Sequence, residues 1–264
     1  MTVKNLYATL ADFRELHEIS ATDTARDTLI EKLIADVSRY IDARCGRVFY
    51  PYIKTAYYDY PTDAMLYLGE DLLSVIELKN GDGSTMTASD YHLVPRNAPP
   101  YYAIKTASTI SWTYSTEPTN AISVKGWWGY HNDYSNAWYS LGTVTVNSSD
   151  LTINISGTLP ARGDIVRMDD EIVQVASSSA GTFTVYQRGD NGSTAAAHTS
   201  VTAYAYRPIR ELRGAVLEMT NNVFMKRFGE GQMAATVTAA GVVLTPRDET
   251  PEVANVIKIL TKRY

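Results

Sequence analysis

The residues able to do chemistry are few and scattered. Four histidines, His17, His92, His131 and His198, share no spacing of the kind metal ligands need. The densest carboxylate group is Asp169-Asp170-Glu171. Three consecutive side chains between two strands point in alternating directions, whereas a catalytic acid–base pair is brought together by the fold with one pKa raised. The group therefore reads as a solvated hairpin turn, with an acidic pair of a cell-wall-degrading enzyme as the rival reading. Gly81-Asp82-Gly83-Ser84 and Gly189-Asp190-Asn191-Gly192-Ser193 lack the lysine of a phosphate-binding loop and open no helix, so both read as turns. No nucleophile-elbow, zinc-helix or paired-cysteine motif occurs, and no spacing of serine, histidine and aspartate selects a triad. Cys45 is the only cysteine, which excludes an intrachain disulfide and a four-cysteine zinc site. The expectation is no catalytic residue, no cofactor and no metal. The sharpest local feature is Trp127-Trp128-Gly129-Tyr130-His131. Exposed, these aromatics would stack on sugars in a carbohydrate- or receptor-binding module; otherwise they plug a core or form a subunit contact.

Composition narrows the classes further. The chain has 264 residues, enough for one large or two smaller domains, and a net charge of −5, which argues against a nucleic-acid-coating surface. It suits a surface that DNA passes without sticking. No run of eighteen apolar residues exists, and the first residues lack the apolar stretch of a signal peptide, so no membrane partner is expected. The 19 tyrosines and four tryptophans bury large area at small entropic cost and lean toward a protein made of contact surface.

The elements that must position these residues follow from periodicity. Thr9 to Ile19 reads as a short helix, with Thr9 and Asp12 as a capping-box variant. Over Thr22–Gly46, the residues Ala25, Leu29, Ile30, Leu33, Ile34, Val37, Ile41 and Cys45 form one apolar stripe, with Thr22 or Asp23 as cap and Gly46 as the left-handed stop. Arg26, Glu31, Lys32, Asp36 and Arg39 fall on its polar face. Short β-branched and aromatic runs follow at 53–60, 65–68, 72–79, 91–94, 101–106, 109–114 and 121–130. Asn80-Gly81 is expected to supply the positive φ of a hairpin. From 141 to 206, Val144/Val146, Leu151/Ile153/Ile155, Val166/Met168, Val173/Val175 and Phe183/Val185 alternate with polar residues, the period of half-buried strands. Helical spacing returns at Pro208 and runs to Gly229; 230–249 reads as extended; Thr250-Pro251-Glu252 starts a last helix carrying Val253, Val256, Ile257 and Leu260 on one face. The fold class expected is α+β, a helical core with a β-rich middle and an inserted small all-β domain. Its parts are 1–140, the insert 141–206, and the core continued over 207–264.

The order of these words resembles the head–tail connector (adaptor, or head-completion) proteins of tailed bacteriophages. DTLIEKLIADVSRYIDARCGRVFYP is similar to that family's helix pair; TAYYDYP, LLSVIELKNGDGSTMTASDYHLVP, ISVKGWWGYH and the helix PIRELRGAVLEMTNNVFMKRF follow in succession, covering most of 8–131 and 207–228. The 141–206 block looks like a β module of phage virion and tail-associated proteins, which keeps a stopper or tail-side role open. The resemblance implies a structural, non-enzymatic protein of the virion neck, made in the host cytoplasm. It implies a homo-oligomeric ring, commonly of twelve copies, beneath the portal protein, joined to the next connector or tail protein and passed by viral DNA. Under that reading Arg26, Glu31, Lys32, Asp36, Arg39, Trp127, Trp128 and Tyr130 are candidate subunit contacts. Residues 232–264, with Val253, Val256, Ile257, Leu260, Lys262, Arg263 and Tyr264, are the candidate portal-docking segment.

Overall fold

The computed structural model describes residues 4–20, 22–228, 236–237, 243–244 and 249–262. The chain is α+β, with three bodies built around separate apolar clusters. The first is helical. It holds α1 (Leu10–Leu16), α2 (Asp27–Cys45), α3 (Arg210–Phe228) and α4 (Pro251–Leu260). The Thr9–Asp12 capping box on α1 is present, both bonds made. α2 starts later than its polar N-terminal flank suggests: neither Thr22 nor Asp23 caps it, Arg26 stands at the N-cap and does not cap the helix through its side chain, and Ala25 is exposed. The stripe Ile30, Leu33, Ile34, Val37, Ile41 and Cys45 is buried, and Gly46 ends the helix at φ 63°. Leu212, Ala215, Val216 and Met219 of α3 close over that stripe.

The second body is an antiparallel sheet of β1 (Tyr52–Tyr58), β2 (Met65–Lys79), β3 (Thr85–Met86), β4 (Tyr91–Val94), β5 (Tyr101–Thr106) and β6 (Ile122–Trp128). The order is β1-β6-β2-β5-β4, with β3 on the far end of β2. The two runs expected at 65–68 and 72–79 are one strand. Gly69-Glu70-Asp71, between the two runs, is accommodated as an irregularity in the register between Tyr67 and Leu72. No strand forms over 109–114; Trp112 is buried there and its indole donates to the Ala64 carbonyl. At the β2–β3 turn Gly83, not Gly81, takes positive φ, at 84°. Gly81 is needed for another reason: a Cβ there would collide with the Thr113 carbonyl.

The third body is a closed six-stranded barrel of β7 (Trp138–Val146), β8 (Thr152–Gly157), β9 (Ile165–Met168), β10 (Glu171–Ser179), β11 (Thr182–Val185) and β12 (His198–Tyr206). The alternating residues fill it, with Phe183, Val166, Met168, Val173 and Val175 wholly buried; Leu151, which precedes β8, is the exception and is exposed. β12, which the small-residue run around it conceals, closes the barrel between β7 and β9. Beyond α3 the described residues of the C-terminal part include a short ladder, β13 (Thr236–Val237) with β14 (Val243–Leu244), and α4; Gly229 and most of the stretch expected to be extended at 230–249 lie outside the described residues.

Candidate functional site

The three bodies meet at a polar hub, and Asn5 is its centre. The N-terminal arm brings Asn5 in at φ 57°, a left-handed conformation that asparagine tolerates better than most residues. Its backbone N–H donates to Gln174 Oε1 of β10 at 2.6 Å, and Gln174 Nε2 donates back to Asn5 Oδ1 at 3.0 Å. Asn191, in the loop between β11 and β12 and also left-handed, donates to Asn5 Oδ1 at 2.8 Å and to the Pro51 carbonyl at 3.0 Å. Its own carbonyl accepts from Ile53 N–H of β1 at 2.8 Å. Arg39 of α2 donates to the Asn5 carbonyl at 3.0 Å. One arm residue thereby ties helix, sheet edge and barrel together. Lys4 pairs with the buried Asp190 beside it. Tyr206, at the end of the barrel, donates to the Phe49 carbonyl at 2.6 Å.

An apolar seam continues the joint. Ile53, Leu73 and Trp127 from the sheet pack with Ala137, Ile165, Ile172 and Tyr206 from the barrel side. The Arg167 guanidinium lies 5.8 Å from the Trp127 ring centroid and 4.8 Å from that of Trp138, a cation among aromatic faces. Glu31 of α2 is 3% exposed and is met by Arg162 from the barrel. Burial pushes the Glu31 carboxyl above its ordinary value, more than the guanidinium draws it down.

Within the barrel, Glu171 is the most enclosed charge. Arg188 holds it by two bonds, Nε–Oε1 2.7 Å and Nη2–Oε2 2.8 Å. The backbone N–H groups of Gly189 and Ala196 donate to the same carboxylate, each at 3.0 Å. His198 lies with Nε2 2.9 Å from Glu171 and Nδ1 3.0 Å from Asp169. Burial raises the Glu171 carboxyl, but the bonds from Arg188, Ala196, His198 and Gly189 outweigh it, and the net shift is downward. The reading of 169–171 as a solvated turn therefore holds for the exposed Asp169 and Asp170 and fails for Glu171, whose side chain points inward to the strands' polar end.

No protein-family model matches the chain. No curated protein matches it either. One solved structure, described as the neck of an empty GTA particle computed with C6 symmetry, aligns with 100% of this chain and 94% of that chain, at 14% identity and a TM-score of 0.42. A superposition that loose does not establish a shared fold.

The residues expected at subunit contacts fall into two groups. Lys32 and Asp36 are exposed on α2, and Arg26, also exposed, sets its guanidinium 5.7 Å from the Phe224 ring centroid. The others are engaged inside the chain. Glu31 pairs with Arg162; Arg39 lies over the rings of Tyr7 and Tyr50 and pairs with Asp42; Trp128 is fully buried and its indole donates to the Lys54 carbonyl at 3.1 Å; Trp127 is in the seam; Tyr130 is half-buried under Arg47 at 4.0 Å. Of the readings of the aromatic run, the core plug holds for Trp127 and Trp128, in place of the subunit contact and the sugar platform: two adjacent tryptophans on one strand point to opposite faces, and here both faces of the sheet are covered. The same holds at the C-terminus. Val253, Ile257 and Leu260 are buried in the helical core, Val256 packs against it, and Lys262 donates to the Gly69 carbonyl at 2.6 Å. That apolar face is occupied by the chain's own Cys45 and its neighbours. Arg263 and Tyr264 lie outside the described residues.

Two concavities flank the hub. A pocket of about 280 Å³ lies between the N-terminal arm and the barrel, with Asp12, Asp164 and Arg213 at its wall. Burial lifts the Asp164 carboxyl to about 6, and Arg213 is held by Asp12. A cleft of about 500 Å³ lies between the end of α2 and β2. Its charges are engaged: Arg39 with Asp42, Arg47 with Asp71, Glu70 with Lys54 outside the lining, and Lys262 with the Gly69 carbonyl. Burial carries Asp42 up to about 6 although Arg39 and the Tyr7 hydroxyl hold it down. Among the described residues no group of three or more His, Cys, Asp or Glu is placed to hold a metal ion. No helix there is long and apolar enough to cross a membrane.

Sequence reasoning had no means of finding the hub. Asn5, Gln174 and Asn191 stand far apart in the chain, and an asparagine before a glycine reads as a turn. The left-handed tolerance of Asn191 is the one local signal.

Proposed function

We propose that this chain is a non-enzymatic structural protein of a phage-like neck, a head-to-tail adaptor whose copies form a ring beneath a portal, extend the DNA channel and join capsid to tail. The observation that carries the reading is how the chain spends its polar and charged groups. Glu171, Arg188 and His198, with side-chain exposures of 1%, 4% and 3%, are the densest chemistry-bearing cluster, and they are sealed into the barrel as a staple. A general acid needs a raised pKa and access to substrate; Glu171 has a lowered pKa and its oxygens are already taken. Trp127 and Trp128, on which sugar stacking would rest, are buried. What remains is a body in which helices, sheet and barrel are fixed to one another by buried bonds, as a load-transmitting part of a particle requires. The order of sequence words shared with phage connectors supports the same reading. A net charge of −5 suits a channel wall that neutralises few phosphates and lets DNA slide.

The test is imaging of the chain co-expressed with its portal, and of purified particles. A ring stacked on the portal is the expected result. A chain that remains monomeric in both, or that sits on the tail side without touching the portal, overturns the adaptor role. Deleting 232–264 is a poor control, because it uncovers the helical core that Val253, Ile257 and Leu260 close.

A further inference from the structure

Among the described residues, the helical body leaves two large aliphatic side chains in water: Leu16 at 56% exposure, near the end of α1, and Ile259 at 63%, near the end of α4. Leu16 borders a groove of about 380 Å³ whose other walls are His17, Gly214, Leu217, Glu218 and Asn221. Gly214, Leu217, Glu218 and Asn221 recur at helical spacing and form one face of α3. Gly214 makes the groove: a Cβ there would meet nothing. Under it, His17 Nε2 and Asn221 Oδ1 are buried without a hydrogen-bond partner among the described residues.

Charge distinguishes the two ends. Glu15 and Glu18 are exposed on either side of Leu16, and Glu218 stands on the groove wall. Of the cations nearby, Arg14 pairs with Asp27 and Arg213 with Asp12, while Arg210, one turn before Gly214, is exposed, so the acidic groups still outnumber the open cation. Around Ile259 the signs reverse. Lys258 is exposed beside it and Lys262 follows, while the neighbouring Glu70 and Asp71 are paired with Lys54 and Arg47.

The two features cannot meet within one chain. Thr250, at the start of α4, donates to Glu218 on the groove wall at 2.6 Å. Ile259 lies toward the other end of that helix, roughly 13 Å farther on at the α-helical rise. α4 is anchored along its length by Val253, Ile257 and Leu260. We infer that the α1–α3 groove receives the Lys258–Ile259 end of α4 from a second copy of this chain, the isoleucine filling the space over Gly214 and the lysine facing Glu15 and Glu18. A groove at one end of the body and its knob at the other make a heterologous contact, the kind that repeats around a ring or along a filament. This rests on the ring reading above and specifies its contact.

The test uses the full chain and two variants that leave the core alone. Gly214→Leu fills the groove at a position with room for a side chain, and Lys258→Glu combined with Ile259→Asp spoils the knob. Assembly is read by sedimentation and by particle imaging with the portal, with circular dichroism as the check on folding. Wild type should assemble, each variant alone should remain monomeric at least tenfold above the wild-type assembly concentration, and the two mixed should stop at dimers, since one good contact remains between them. If wild type and both variants assemble alike, the contact is wrong and the ring stands. If Gly214→Leu blocks assembly and the knob variant does not, another occupant, such as the chain's own 229–248, uses the groove and the inference fails. A wild type monomeric even in particles removes the ring and the contact together.

Discussion

Arg162 of the barrel meets Glu31 of α2 in a fork, Nε–Oε1 2.6 Å and Nη2–Oε2 2.8 Å, with the carboxylate buried and the arginine half exposed. The pair joins segments 131 residues apart in the chain. Its two halves are not equivalent. Removing the arginine strands a buried carboxylate, while removing the carboxylate leaves a cation that water reaches. Arg162→Ala should therefore destabilise by about 1–3 kcal/mol, and Glu31→Gln by about 1 kcal/mol or less. The double variant should recover much of the Arg162→Ala loss. Urea unfolding of the four proteins at neutral pH gives the cycle, and strict additivity would show that the contact carries no coupling.

The polar face of α2 shows where periodicity stops being informative. The stripe from Ile30 to Cys45 was legible because one face of a helix meets one core. Glu31 and Ser38 are buried as well, at 3% and 0%, because the arm and barrel cover a second face. Ser38 satisfies itself by donating to the Ile34 carbonyl at 2.7 Å and accepting from Tyr7 N–H. A sequence window cannot register a neighbour that arrives from residue 5 or residue 162. The barrel's alternation was legible for the opposite reason, since a closed barrel has one inside and one outside along most strands. α2 began late because a threonine and an aspartate near a helix start are a cap only when the chain turns at them, and here it turns at Arg26.

Asp164 sets a pH dependence. Burial lifts its carboxyl to about 6 from an ordinary value of 3.8, and Oδ2 accepts from Ala161 N–H at 2.7 Å. The folded chain binds this proton more tightly than the unfolded chain, so between these values stability falls as pH rises, and the penalty is fully present above about 6. Asp164→Asn keeps an acceptor for Ala161 and removes the buried charge. It should stabilise by about 1–3 kcal/mol at neutral pH, and the gain should fade below about pH 4. Thermal unfolding across that range checks both the sign and the window; a gain independent of pH would mean that the carboxyl is ionised freely in the fold.

Glu171 is the opposite case, a buried carboxylate held in its charged form by its partners. Glu171→Ala removes the acceptor for Arg188, His198 and the N–H groups of Gly189 and Ala196 at once. The expected cost is about 3–5 kcal/mol. Loss should appear as exposure of the barrel amides in hydrogen exchange before those of α2 and α3. Glu171→Gln, which keeps the shape and part of the bonding, should cost less than half as much. Equal costs for the two would remove charge from the explanation.

Asn191 separates backbone strain from bonding at the hub. It sits at φ 51°, where alanine is strained and glycine is not, and its side chain bonds Asn5 and the Pro51 carbonyl. Gly192 next to it has no room for a Cβ, which would strike the Ile53 carbonyl, so the loop cannot shift to compensate. Asn191→Gly loses only the bonds, about 1–2 kcal/mol; Asn191→Ala loses the bonds and adds the left-handed penalty, about 1 kcal/mol more. Chemical denaturation ranks them. If glycine proves as costly as alanine, the side-chain bonds hold the joint between barrel and sheet; if glycine matches wild type, the turn geometry does, and the bonds are exchanged for water without loss.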